Sequence, residues 1–265
     1  MKINKPLFWD LKNSYISLIL LPLSLIFLFL IFLRKKFAKE IKFKIPIICV
    51  GNIYVGGTGK TPTSILIANE LDKMNKNPVI LRKFYKNHID EHNFIKAHFK
   101  NLILTKNRSI GLKEAERSFD IVIMDDGFQD YKIIKNLNIL CFNGNQLIGN
   151  GYIFPAGPLR ESLSALKKAQ IILINGPENK KFEEKILKIN QNLCIFYSEY
   201  KPVNINQFRE KKLLAIAGIG NPENFFKLIS QYNLKIERKM VFPDHYSFSF
   251  NQIKKISKKL KKKIT

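Results

Sequence analysis

The sequence predicts an α/β protein: a P-loop NTPase-like, mostly parallel sheet with a smaller C-terminal α/β unit, preceded by an N-terminal membrane helix. Three observations carry that prediction. Short apolar runs without alternation recur between amphipathic stretches, the pattern of strands buried on both faces of a parallel sheet. One such run, residues 45–50, leads through Gly56-Gly57-Thr58-Gly59-Lys60-Thr61 into a helical pattern, the strand–loop–helix order of a phosphate-binding loop. Residues 14–33 are uncharged and almost wholly apolar, about twenty residues and enough to cross a bilayer as a helix. These features divide the chain into an anchor with a basic collar (residues 1–44), a P-loop domain (45–211) and a small α/β domain with a basic tail (212–265).

Charge narrows the partners only to a class. The 265 residues hold 45 Lys and Arg against 21 Asp and Glu, a net charge of +24. Nucleic acid, acidic lipid head groups and phosphorylated substrates all suit such a balance. Cys49, Cys141 and Cys194 each lie in an apolar strand-like run, too widely spaced for a zinc site and odd in number. They read as small core residues in a reducing compartment.

The apolar segment is read as an anchor. A cleaved signal peptide competes with that reading, but its apolar core is normally shorter and ends in a small-residue cleavage site. Arg34, Lys35, Lys36, Lys39, Lys42 and Lys44 crowd the far side, against Lys2, Lys5 and Lys12 before it. That asymmetry places the body of the protein in the cytoplasm. Pro22 permits a kink, or a helix lying in the interface, so spanning and surface-lying forms both stay open.

The strand at 45–50 delivers the loop, Tyr54-Val55-Gly56-Gly57-Thr58-Gly59-Lys60-Thr61, as an ATP-binding segment. In the pattern G-x-x-x-x-G-K-[ST] the first glycine falls at Tyr54, so Gly56 and Gly57 supply the turn. Lys60 is expected to reach the β- and γ-phosphates and the Thr61 hydroxyl to ligate Mg²⁺. A helix over 61–74 follows, with Pro62 in its first turn and Ile65, Ala68 and Leu71 on one face. Residues 78–81 are a buried strand. The polar stretch 82–100 reads as an irregular active-site loop, followed by a strand at 102–104 and a helix at 111–118.

Ile121-Val122-Ile123-Met124-Asp125-Asp126-Gly127-Phe128-Gln129 is the second informative stretch. Two carboxylates at the C-terminal end of a buried parallel strand occupy the Walker B position, where Asp125 or Asp126 would hold the metal. Beyond it lie a strand at 137–142, a turn-rich link into a helix containing Arg160 and Glu161, a strand at 171–174, a helix at 182–189 and a strand at 193–197. The last unit reads as a strand (213–217), a glycine turn, a helix (223–231) and a strand (234–241). Gly218 and Gly220 lack the third glycine of a dinucleotide fingerprint. In the tail, Ile253, Ile256, Leu260 and Ile264 share a helical face among lysines, suiting either an anionic membrane surface or a solvated terminus.

Several of these stretches together resemble a known family. Val50-Gly51-Asn52 leads to Val55-Gly56-Gly57-Thr58-Gly59-Lys60-Thr61-Pro62, then Asp125-Asp126-Gly127-Phe128-Gln129 and Gly149-Asn150-Gly151 follow. Next come Pro155-Ala156-Gly157-Pro158-Leu159-Arg160-Glu161, Ala217-Gly218-Ile219-Gly220-Asn221-Pro222 and Phe242-Pro243-Asp244-His245. In this order, from the anchor to about Tyr246, the set is similar to the tetraacyldisaccharide 4′-kinases of lipid A biosynthesis. The resemblance implies transfer of the γ-phosphoryl of ATP, with Mg²⁺, to the 4′-hydroxyl of a tetraacylated glucosamine disaccharide 1-phosphate. It also implies an inner (cytoplasmic) membrane location with the catalytic body facing the cytoplasm, and two α/β/α units with the site in their cleft.

The resemblance assigns roles as well. Asp90 would be the base and His245 its partner, with Lys60 on the phosphates. Glu91 would assist the metal beside Thr61, Asp125 and Asp126, and Arg108, Arg160 and Glu161 would face phosphate or lipid. The expected partners are the acylated disaccharide lipid and the membrane, with no nucleic acid and no obligatory protein partner. Departures cluster around the base: Leu81-Arg82-Lys83-Phe84-Tyr85 stands for the family's Ser-Arg-Gly-Tyr-Gly, Ile89 and His92 replace Gly and Pro around Asp90-Glu91, and Tyr246 replaces a second His.

Two other readings compete. A membrane-associated P-loop switch ATPase of the partitioning or targeting kind carries an extra lysine before the paired glycines, where this chain has Val55. A basic nucleic-acid-binding protein has the charge but lacks a recognition module.

Overall fold

Seven of the apolar runs become seven parallel strands in the computed structural model, which describes residues 5–219, 222–243, 246 and 248–256. They are β1 (Ile47–Gly51), β2 (Pro78–Lys83), β3 (Leu102–Thr105), β4 (Ile121–Asp125), β5 (Leu137–Asn143), β6 (Ile171–Asn175) and β7 (Cys194–Ser198). Their spatial order is β3-β2-β4-β1-β5-β6-β7, every neighbouring pair parallel. This sheet belongs to the first of two compact units, Lys5–Lys201; the second comprises the described residues from Pro202 on.

The lack of alternation in the strands has a simple origin. Ile47, Cys49, Leu81 and Met124 pack on one face of the sheet while Val50, Ile80 and Ile123 pack on the other, all buried. Each fully buried Ile or Leu contributes about 1.5–3 kcal/mol. Helix α2 (Lys60–Lys73) covers the second face with Ile65 and Ala68, and α3 (Ile89–His98) adds Ile95. Helix α4 (Arg108–Ala115) and α5 (Lys180–Leu187) cover the first with Leu112 and with Phe182 and Ile186.

Several expectations need correction. Residues 82–100 are not an irregular loop: after a short 3₁₀ turn they form α3, whose buried His92 and Ile95 share a face one turn apart. Helix α4 begins at Arg108 and not at 111, because Asn107 caps it by accepting from the Ser109 amide at 3.0 Å. Arg160 and Glu161 are not helical. Leu159 bridges both Tyr54 and Ile153, and the Arg160 amide donates to Ile53 O at 2.8 Å, which holds this segment extended beside the phosphate loop. Cys194 is exposed on the edge strand β7, whereas Cys49 and Cys141 are core residues.

Helix α1 (Tyr15–Lys36) is 22 residues long, about 33 Å at 1.5 Å per residue and enough to cross a bilayer by length and composition. Its buried positions are Ser17 and Ser24, two turns apart on one face. Ser24 Oγ donates to Ile153 O at 2.8 Å and accepts from the Ala156 amide at 3.0 Å. Ser17 Oγ accepts from Asn150 Nδ2 at 3.1 Å. Ile19, Leu25 and Phe29 face outward and are exposed. The helix thus docks through Ser17 and Ser24 together with Phe27 and Leu28, which pack against Tyr54, Ile153 and Leu159, while Ile19, Leu25 and Phe29 point away from the body.

The second unit pairs β8 (Leu213–Ala217) in parallel with β9 (Ile236–Val241), joined by α6 (Pro222–Gln231). Ala215, Ala217 and Phe226 form its buried centre. Gly220, Asn221, Asp244, His245 and the tail positions Leu260 and Ile264 lie outside the described residues.

Candidate active site

Strands β1 and β4 lie side by side while their connections leave in opposite directions, to β2 and to β5, which opens a crevice at their carboxyl ends. The phosphate loop and the acid pair meet there. At Gly51 a Cβ would lie 2.5 Å from Phe128 Cβ, so the turn after β4 can close on β1 only over a glycine. Buried Asn52 then fixes the loop from inside, its Nδ2 donating to Thr58 Oγ1 at 3.0 Å and Gly56 O at 3.4 Å. Asn175, at the end of β6, donates to Thr58 O at 2.6 Å. Gly59 sits at φ 85° as the N-cap of α2, and a Cβ on it would fall 2.4 Å from Asn175 Nδ2. Helix α2 starts at Lys60, so its unpaired first-turn amides and positive dipole end belong to the same turn.

Gly56 and Gly57 are exposed at the loop's tip. Tyr54 is different: its ring is buried against Ile153 and Leu159, so it anchors the loop and offers only backbone to a ligand. Val55 is tied down by its amide, which donates to Pro158 O at 2.8 Å.

The two adjacent aspartates have separate surroundings. Asp125 is fully buried, accepting from Ser64 Oγ at 3.0 Å and from Thr61 Oγ1 at 3.3 Å. Arg82 Nη1 donates to Asp125 Oδ2 and, at 2.9 Å, to Thr61 Oγ1, while its Nη2 pairs with Glu91 Oε2. Asp126 turns toward the cations, with Lys60 Nζ at 3.7 Å and Arg160 Nη1 at 3.0 Å from its Oδ1. Its φ of 52° makes that turn possible. Burial alone would raise the Asp126 carboxyl, but Lys60, Arg160, Arg82 and Arg108 together hold it down to about 2. Burial pulls the Lys60 ammonium below its usual value, with Asp126 partly restoring it.

Arg108 braces the acid turn from behind: Nη2 donates to Asp126 O at 2.7 Å and Nη1 lies 3.4 Å from Asp130 Oδ2. Glu161, expected to face substrate, is buried and occupied. Lys35 of α1 reaches its Oε2 at 2.5 Å and Gln129 Nε2 donates to its Oε1 at 3.1 Å. Gln129 also donates to Asn52 O at 2.8 Å, so a chain of contacts runs from the end of α1 to the phosphate loop. Phe27 and Ile31 of α1, with Arg34, Gln129, Tyr131 and Arg160, line a recess of about 230 Å³ beside this chain.

The structure therefore brings together Lys60, Thr61, Asp125, Asp126, Glu91, Arg108 and Arg160. Asp90 is exposed on the first turn of α3, next to Glu91. His245 lies outside the described residues. Sequence reasoning missed Arg82, Ser64 and Asn175. Arg82 and Asn175 stand at or near the carboxyl ends of strands in the same sheet, the signal that marks ligand positions in open α/β folds. Thr61, Asp125 and Glu91 form an all-oxygen set already gathered around a cation, and oxygen donors suit a hard divalent ion that shares its shell with phosphates.

Comparisons with known proteins place the chain among named relatives. The model of the family described as tetraacyldisaccharide-1-P 4′-kinase (LpxK) matches residues 16–265. A tetraacyldisaccharide 4′-kinase from Pelagibacter ubique (strain HTCC1062) is 42% identical over 256 residues, covering 94% of this chain and 80% of that one. Its counterpart from Francisella tularensis subsp. novicida (strain U112) is 33% identical over 274 residues, covering 90% of this chain and 84% of that one. A crystal structure of the "apo" form of LpxK from Aquifex aeolicus in complex with ATP is similar with a TM-score of 0.67 and 25% identity. It covers 88% of this chain and 84% of that one.

Proposed function

The chain belongs to the tetraacyldisaccharide-1-P 4′-kinase family, and we propose that it transfers the γ-phosphoryl of ATP to the 4′-hydroxyl of a tetraacylated glucosamine disaccharide 1-phosphate. It is an ATP-dependent kinase of lipid A biosynthesis. The observation that supports this most is the facing of Lys60 and Thr61 by Asp126 and Asp125 across the crevice between β1 and β4. A switch ATPase would share this P-loop geometry; membership of the kinase family sets that reading aside.

Phosphoryl transfer needs positioning and neutralisation more than covalent chemistry. The amides from Gly56 to Thr61 would cradle the phosphates, and Lys60 would neutralise charge developing on the β- and γ-oxygens. The divalent ion would be held by Thr61 Oγ1 and Asp125, with Glu91 and Asp126 beside them. A bound Mg²⁺ would supply positive charge that offsets the charge developing on the transferring phosphoryl group. Asp126 orients Lys60 and Arg160, so these cations are aimed before nucleotide arrives.

Asp90 is the proposed base for the sugar hydroxyl and His245 its proton partner. Asp90 shares the first turn of α3 with Glu91, which the Arg82 pair ties to the metal position. The outward apolar face of α1, followed by Arg34, Lys35 and Lys36, supports placement at the inner membrane with the catalytic unit on the cytoplasmic side. An acylated acceptor would then reach the site from the bilayer.

Purified full-length protein in detergent micelles, given γ-labelled ATP and the tetraacyl disaccharide 1-phosphate, should move label to the lipid on thin-layer chromatography. ATP consumption with no labelled lipid would refute the kinase reading.

A further inference from the structure

Arg82 stands where a metal ion is expected. It is 6% exposed at the end of β2, directly opposite Asp125 in the β2–β4 register. Its guanidinium binds Thr61 Oγ1, Asp125 Oδ2 and Glu91 Oε2, three of the four residues proposed above as metal ligands. Those elements converge from α2, β4 and α3, so this is no local pairing along one helix. Arginine stays charged at any working pH, and a fully buried Asp125 without a cation would be strongly unfavourable. The fit is nonetheless incomplete, because the buried Arg82 Nε has no hydrogen-bond partner among the described residues. An unmade bond on a buried donor is a standing cost, and an occupant that uses the same oxygens without it can displace the side chain.

We propose that Arg82 is the resident cation of the metal position, so that guanidinium and divalent ion are alternative occupants of one oxygen cage. The proposal rests on the reading of Thr61, Asp125 and Glu91 as metal ligands and adds the exchange. The two cations compete for the same lone pairs of Thr61 and Asp125 and repel each other at contact distance. Metal binding by the nucleotide-free protein is thereby weak, and metal arriving with nucleotide phosphates expels Arg82. Glu91, released from Arg82, becomes available to the incoming ion. Arg82 thus keeps the carboxylates from gathering metal before nucleotide is present.

The test uses Mn²⁺ as probe, its free concentration read by electron paramagnetic resonance, on the full chain in detergent micelles without nucleotide. Arg82→Gln should bind Mn²⁺ roughly ten- to a thousandfold more tightly than the wild type, the range over which one adjacent charge shifts a carboxylate's affinity for a cation. Arg82→Lys, a single movable cation, should fall between them. Mn²⁺ should also raise the melting temperature of Arg82→Gln more than that of the wild type. Equal or weaker Mn²⁺ binding by Arg82→Gln, with ADP binding retained in both proteins, overturns the exchange alone. Absence of ADP binding from both folded proteins, with Mn²⁺ binding no tighter in Arg82→Gln than in the wild type, overturns it together with the phosphate-loop reading. Should Arg82→Gln not fold, Arg82→Lys decides: tighter Mn²⁺ binding than the wild type supports the exchange, and equal or weaker binding overturns it.

Discussion

Asp126 and Lys60 hold each other in register across 3.7 Å, with Arg160 on the same carboxylate oxygen. On the proposed role of Lys60, its removal would take away a charge aimed at the transferring phosphoryl, so Lys60→Ala should lower kcat by roughly 10²–10³-fold or more, read by the labelled-lipid assay on folded protein. Asp126 also has a pH signature. Its folded value, about 2, lies below the ordinary 3.8, so its stabilisation is fully present above about pH 4 and is lost as pH falls toward 2. The gap in urea midpoint between wild type and Asp126→Asn should therefore be widest above pH 4 and close on acidification. A gap that widens toward pH 2 would contradict the assignment. At this scale Lys60, Thr61, Asp125 and Asp126 were legible because motif spacing and strand ends fix them. Arg82 and Glu161 were not. Their partners come from distant elements, Asp125 and Glu91 for one and Lys35 and Gln129 for the other, and no local pattern announces such pairings.

Among the elements, the phosphate loop depends on one backbone conformation. Gly59 at φ 85° has Asn175 where a side chain would go, and a non-glycine residue in the left-handed region costs about 1–2 kcal/mol before any clash. Gly59→Ala should weaken nucleotide binding by about tenfold or more in a fluorescent-ATP titration, a tenfold change being about 1.4 kcal/mol. Helix α1 rests on Ser24, which satisfies both Ile153 O and the Ala156 amide. Ser24→Ala leaves the buried Ala156 amide unpaired, while Ile153 O still accepts from the Gly157 amide at 3.0 Å, and should destabilise the first unit by about 1–3 kcal/mol, measured as a fall in denaturation midpoint in micelles. An unchanged midpoint would mean the helix is not docked as described. Length and composition made α1 legible as a helix long and apolar enough to cross a membrane. The seryl docking face was hidden, since two hydroxyls in an apolar run look like tolerated exceptions. The opposite error occurred at 82–100 and 159–161. Polar composition masked the buried face of α3, and Leu159 bridging to Tyr54 and Ile153 overrode the helical pattern around Arg160.

For the whole molecule, the alternation of apolar runs and amphipathic stretches was enough to read a parallel sheet, because strands buried on both faces need no polar side. The strand order β3-β2-β4-β1-β5-β6-β7 was beyond reach, since spatial neighbours are set by crossovers and not by adjacency in the chain. That order decides the chemistry. It sets the loop after β1 against the aspartates at the end of β4, and it sets Arg82 of β2 opposite Asp125. Helix α1, long and apolar enough to cross a membrane, is connected to the site: Lys35, Glu161, Gln129 and Asn52 link its end to the loop that would hold the phosphates. On the proposed function, phosphate moves from the nucleotide in this loop to a particular hydroxyl of a lipid-borne sugar. Tandem mass spectrometry of the lipid product, made with ¹⁸O-labelled γ-phosphate ATP, tests it most directly. A single labelled phosphate on the 4′ position of the distal sugar, absent with Asp125→Ala, is the predicted result; label on any other position, or on the lipid regardless of Asp125, would contradict it.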